Sequence, residues 1–138
     1  MWLGLGGGGA AAGSTYYPME FSNISGHACH LFGFPGVSAV DGHQLGSPAG
    51  RNRTHAPQTV TLAPGATAHT VLQIVDVLNF PTAQCMPATA NALRVYPPNQ
   101  FASTEIPFSF DACSRKGEVF MSVEPVQPGV GVPGYPNL

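Results

Sequence analysis

The sequence predicts an all-β protein, an antiparallel β-sandwich of about seven strands. Three observations carry that expectation. Glycine (17) and proline (14) are spread along all 138 residues, and both interrupt helices. No segment sustains apolar residues at the three-and-four spacing of an amphipathic helix, whereas several alternate apolar with polar residues. Charged residues are only 9%, so the surface must be finished with Ser, Thr, Asn, Gln, Pro and Gly, the residues of turns. With 43% hydrophobic residues the chain can build one core, and its length does not suit two domains.

The elements follow in chain order. Residues 1–13, MWLGLGGGGAAAG, form a Gly-rich N-terminal segment, read as the remnant of a first strand running into a glycine loop. It lacks the basic start and the long apolar run of a signal peptide. Residues 14–23, STYYPMEFSN, alternate: Tyr17, Met19 and Phe21 face one way, Tyr16, Glu20 and Ser22 the other. Asn23-Ile24-Ser25-Gly26 is a turn, and residues 29–34 are a second strand closed by Pro35-Gly36, with residues 37–40 as its possible extension. Residues 46–58, GSPAGRNRTHAPQ, read as a long exposed loop.

Residues 59–62 place Val60 and Leu62 inward, and Pro64-Gly65 suits a type II turn. Residues 67–77 are apolar on both faces around Val71, Leu72, Ile74 and Val75, as a central strand is. Residues 79–90 form a connection holding Cys85, and residues 92–96 a strand stopped by Pro97-Pro98. Residues 104–112 direct Ile106, Phe108 and Phe110 inward, with Pro107 outward, which implies an edge or a bulge. Residues 118–126 are the last strand, with Val119, Met121 and Val123 inward, and a Gly/Pro-rich tail occupies residues 129–138. The domain proper therefore spans residues 14–128, and turn-separated strands without crossover helices are those of an immunoglobulin-like sandwich.

Chemistry is sparse. In HACHLF, Cys29 and His30 are neighbours on a strand and so point to opposite faces, and His43, His55 and His69 stand singly. Without CxxC or HxxxH spacing no metal site is expected, and surface positions are the ordinary reading of the histidines. The Gly4, Gly6, Gly9 string has no helix after it and no βαβ frame, so no cofactor is expected. No GxSxG elbow or paired carboxylates mark a catalytic centre, and no catalytic residue is assigned. The net charge of −2 without a basic run argues against nucleic acid, and no apolar run reaches the ~20 residues of a membrane helix. The sequons Asn23-Ile24-Ser25 and Asn52-Arg53-Thr54 matter only in a glycosylating host.

Pairing residues 93–95 with 106–110 as a hairpin brings Cys85 toward Cys113 when the register is extended. A Cys85–Cys113 bridge is the preferred disulfide and leaves Cys29 as a free thiol; Cys29–Cys113 is the alternative.

The strings NISGHACHLFGFPGV, LAPGATA, CMPATANALRVYPP and FDAC resemble the DUF4232 domain of actinobacteria, over about residues 11–129. The resemblance implies an immunoglobulin-like fold and an exported or lipid-anchored protein of the cell envelope; the family carries no assigned activity and no catalytic residues to transfer. Family members begin with an export signal and an earlier cysteine, which the resemblance sets against WLGLGGGG here; Cys29 is then the orphan of a lost partner. The expected function is a non-enzymatic extracytoplasmic module binding a protein or glycan, with Phe32, Phe34, Tyr96 and the 43–58 loop as its contact surface. The alternative is a hydrolase-like enzyme or enzyme inhibitor with a site near Asp111 and Arg115, which would gather them in one cleft with a histidine.

Overall fold

A computed structural model describes residues 1–53 and 55–130 of the chain. It is an all-β sandwich. In chain order the strands are β1 (Trp2–Leu5), β2 (Gly9–Ala11), β3 (Ser14–Ser22), β4 (Cys29–Phe32), β5 (Gly36–Val40), β6 (Gln44–Leu45), β7 (Gly50–Arg51), β8 (Thr59–Leu62), β9 (Thr67–Val75), β10 (Pro87–Tyr96), β11 (Thr104–Cys113), β12 (Met121–Val123) and β13 (Gln127–Pro128). One short helix, α1 (Thr82–Cys85), follows a 3₁₀ turn at Val77–Asn79.

The first sheet runs β1-β3-β9-β12-β7, with β2 also on β3 and β13 also on β9. The second runs β11-β10-β5-β6, and β4 pairs with β8 in a ribbon of its own. β9 is central, as its two apolar faces require, and β3 lies antiparallel against its whole length, from Ser14↔Val75 to Ser22↔Thr67. Strict alternation decides the inner faces. Met19, Phe21, Leu72, Met121 and Val123 come from the first sheet, Val37, Leu93 and Val95 from the second, Leu31 and Val60 from the ribbon, and all are buried in one cluster. Each large side chain so buried contributes about 1.5–3 kcal/mol.

The Gly-rich start is paired structure. β1 and β2 both lie antiparallel on β3. The indole of Trp2 folds across Gly4, the next residue on the same face, and a Cβ on Gly4 would collide with it. Glycine there lets an aromatic ring cover strand backbone.

Several sequence expectations need correction. The strands among the described residues are more numerous than the expected seven, because several expected segments are divided by bends. The strand expected at residues 29–34 and its extension are two, β4 and β5, since Gly33 at φ +92° turns the chain out of the ribbon and into the second sheet. The supposed exposed loop at residues 46–58 starts deeply, with Leu45 and Gly46 buried. It also adds β7, which runs parallel to β12 and makes the first sheet mixed. β10 begins at Pro87, five residues before the expected start, and only residues 121–123 of the expected last strand are extended in the sheet. Val119 is 51% exposed rather than inward, because the chain is still turning there: Glu118 N–H donates to Arg115 C=O.

Pro107 lies on β11, which is both an edge strand and bulged, two of its residues facing Asn91 where the register shifts between Ala90 and Ala92. The Ala63 carbonyl accepts from Ala66 N–H with Gly65 at φ +83°, the turn that Pro64-Gly65 favours. The tail reading for residues 131–138 falls outside the described residues.

Candidate functional site

The segment Phe32-Gly33-Phe34-Pro35 crosses from β4 to β5 at one end of the sandwich. Alternation leaves Phe32 outward and 48% exposed, since Leu31 takes the core side. The Gly33 carbonyl accepts from Val126 N–H at 2.8 Å, which pins the crossing. Phe34 is half-buried against the core. β7 then brings Arg51 alongside, and Asn52 N–H donates to Val123 C=O at 2.8 Å. Arg51 and Arg53 are two residues apart, and both guanidinium carbons lie 5.3 Å from the centroid of the Phe34 ring.

The turn after β10 closes the third side. Gln100 N–H donates to Pro97 C=O, Asn99 takes φ +62°, and the Asn99 amide donates to the Phe32 carbonyl at 3.2 Å. With Pro57 these residues line a notch of about 270 Å³. Of the chain's five Lys and Arg residues, two stand at this notch. Among the described residues neither Arg51 nor Arg53 meets a carboxylate, whereas Arg94 pairs with Glu105 at 3.3 Å.

Of the expected surface, Phe32 and Phe34 therefore meet the 43–58 loop through Arg51, Arg53 and Pro57. Tyr96 does not line the notch; it stands opposite Gly36, and its ring lies within 3.5 Å of where a Gly36 Cβ would be.

Asp111 lies elsewhere. A cavity of about 440 Å³ is walled by Tyr17, Ile74, Val77 and Phe110 and edged by Asp76 and Asp111. Asp76 already caps the 3₁₀ turn, its Oδ1 accepting from Leu78 N–H at 3.0 Å. Arg115 is not in that cavity: its guanidinium donates to the Ala83 carbonyl at 3.3 Å. No histidine lines the cavity, so the expected grouping of Asp111, Arg115 and a histidine does not form there.

Cys85 and Cys113, both fully buried, are joined with their Cα atoms 4.6 Å apart, next to the Pro87↔Cys113 register position. Cys29 is a free thiol, half-buried on the same face as Leu31, while His30 points outward and meets Thr61 at 2.9 Å. Among the described residues no group of three or more His, Cys, Asp or Glu is placed to hold a metal.

The domain-of-unknown-function model DUF4232 matches residues 3–127. The chain belongs to the DUF4232 family. No curated protein and no solved structure matches it.

In this DUF4232 domain the match covers residues 3–5 of β1 and all of β2. Sequence reasoning missed two polar groups. His69, expected at the surface, is buried, with Nδ1 2.8 Å from the Gly129 carbonyl. Glu124 is buried beneath His55, with a 3.7 Å approach. His69 pairs with Gln127 of β13 and Glu124 lies three residues before it, a long-range relation that spacing does not encode. Asn23 of the first sequon is also buried, with its amide nitrogen donating to the carbonyls of His27 and Leu62, so the folded domain offers no room for a glycan there. The second sequon contains Thr54, outside the described residues.

Proposed function

We propose that this DUF4232 protein is a non-enzymatic, extracytoplasmic binding module with an immunoglobulin-like arrangement, which holds a protein or glycan at the cell envelope. One observation carries the reading: two arginines without a carboxylate partner among the described residues converge on Phe34 beside the half-exposed Phe32. Arginine and aromatic side chains dominate the energetics of recognition surfaces. The export part of the reading rests on the family resemblance, and the Cys85–Cys113 bridge is compatible with an oxidising compartment. No described helix is long and apolar enough to cross a membrane.

The test is affinity capture from an envelope extract, run in parallel with wild-type protein and with Phe32→Ser as baits. A specific protein or polysaccharide retained by the first and lost by the second supports the reading. Capture that ignores Phe32, or no capture, refutes it at this surface.

The alternative, a hydrolase-like enzyme or an enzyme inhibitor, is supported by the 440 Å³ cavity that Asp76 and Asp111 edge. Turnover or inhibition abolished by Asp111→Asn would favour it over the binding module.

A further inference from the structure

We infer that the notch over Phe34 receives the carboxylate of an acidic peptide segment, an Asp or Glu side chain flanked by an apolar residue. The inference rests on the binding-module reading and names the ligand of the same site.

Electrostatics supplies the first argument. Arg51 and Arg53 hold two positive charges around one ring in a chain whose net charge is −2. Two positive charges beside one ring, with no counter-charge on either among the described residues, both attract an anion that enters the notch. The other two arginines are differently engaged: Arg94 with Glu105, Arg115 with a backbone carbonyl.

Geometry supplies the second. A guanidinium is a planar fork that matches a carboxylate with two parallel hydrogen bonds. Contact with the Phe34 ring restrains both forks, which lowers the entropy lost on binding.

The rim decides between peptide and sugar. Phe32, which lines the notch, is 48% exposed. Such a rim suits an apolar side chain next to the acid. A neutral sugar would leave both arginine charges without a counter-charge, whereas an acidic side chain supplies one.

The test is selection of a random heptapeptide library on the wild-type protein, beside an array of uronate-containing oligosaccharides. The selected peptides are expected to carry Asp or Glu next to Leu, Phe or Trp. Their binding should fall at least about tenfold in Arg51→Gln and in Arg53→Gln, and fall again when salt is raised from tens of millimolar to about half molar. Arg94→Gln, remote from the notch, should bind as wild type. Both notch arginines are exposed, so thermal melts of the variants should superimpose on wild type. Peptides without acidic bias, affinity indifferent to both arginines, or binding to uronates in place of peptides would each overturn the inference. If envelope capture still depends on Phe32 while the peptides show no acidic bias, this inference falls and the binding-module reading stands. If capture fails as well, both fall.

Discussion

His55 reaches the buried carboxylate of Glu124 through Nδ1, 3.7 Å from Oε1, while its Nε2 lies 3.1 Å from the Gln127 side-chain amide nitrogen. The ring therefore lies between the Glu124 carboxylate and the Gln127 amide, one nitrogen toward each. The Glu124 side chain is 3% exposed and that of His55 29%, so the imidazole forms part of the cover over the acid.

Removing the imidazole uncovers a buried carboxylate and takes a partner from Gln127. His55→Ala should destabilise the fold by about 1–3 kcal/mol, the usual cost of disturbing a buried polar group. The corresponding change at His43, which is exposed, should stay within about 0.5 kcal/mol. Urea unfolding of the two variants makes the comparison. Equal midpoints would mean that His55 does not shield Glu124.

The Cys85–Cys113 bridge spans 28 residues of sequence. In the chain-entropy model a loop of that length stabilises by about 3–4 kcal/mol. The double variant Cys85→Ala/Cys113→Ala should lose about that much in denaturant titrations, and reductant should lower the wild-type midpoint while leaving the variant unmoved. Cys29→Ala should change little by comparison, since no bridge is lost. A reductant effect that survives in the double variant would show that other cysteine chemistry matters.

How far the sequence was legible follows from the range of each interaction. The period-two alternation in 14–22 and 104–112 exposed the inner faces of β3 and β11, because each side chain's face is a local property. The bridge was legible too, since extending one hairpin register brings Cys85, two residues before Pro87, close to Cys113, which pairs with Pro87. β7 was not, because a two-residue parallel pairing with β12 depends on where a strand seventy residues later passes, a distance of roughly the order that local pattern cannot reach. The same reason hid the burial of His69 and Glu124. Phe32 and Phe34 were readable as aromatics beside a turn, but the arrival of Arg51 and Arg53 over Phe34 belongs to the tertiary path of the 46–58 segment.

Gly46 is buried at φ +64°, where the chain passes beneath the 114–118 turn and Ser47 N–H donates to Glu118 C=O at 2.9 Å. A Cβ there would sit 2.6 Å from the Cys113 carbonyl oxygen and 2.9 Å from the Phe120 ring. The carbonyl belongs to β11 and cannot swing away as a side chain could. Gly46→Ala should therefore cost more than the ~1 kcal/mol of a left-handed backbone alone, reaching about 2–4 kcal/mol with overpacking. Gly65→Ala, also at positive φ but facing open space, isolates the backbone part. Melting temperatures that fall equally in the two variants would leave no role for the close approach.

Asn23 links two turns and spends every polar atom in doing so. Its Oδ1 accepts from Ser25 N–H at 3.0 Å and from the Ser25 hydroxyl at 2.7 Å. Its Nδ2 donates to the Leu62 and His27 carbonyls, each at 2.9 Å, and its backbone joins Gly65 and Ala66. Asn23→Ala would strip donors from both carbonyls, and the one at Leu62 is bonded in the buried interior, so a loss of about 1–3 kcal/mol is expected. Asn23→Asp is nearly the same size but turns an oxygen toward those two carbonyls, so it should cost more than the alanine change at neutral pH. The aspartate variant should recover part of the difference in acid, where a protonated carboxyl can donate to one carbonyl again. Paired guanidinium titrations at neutral and acidic pH measure this directly; an aspartate variant as stable as wild type at neutral pH would mean the amide does not bridge the turns as described.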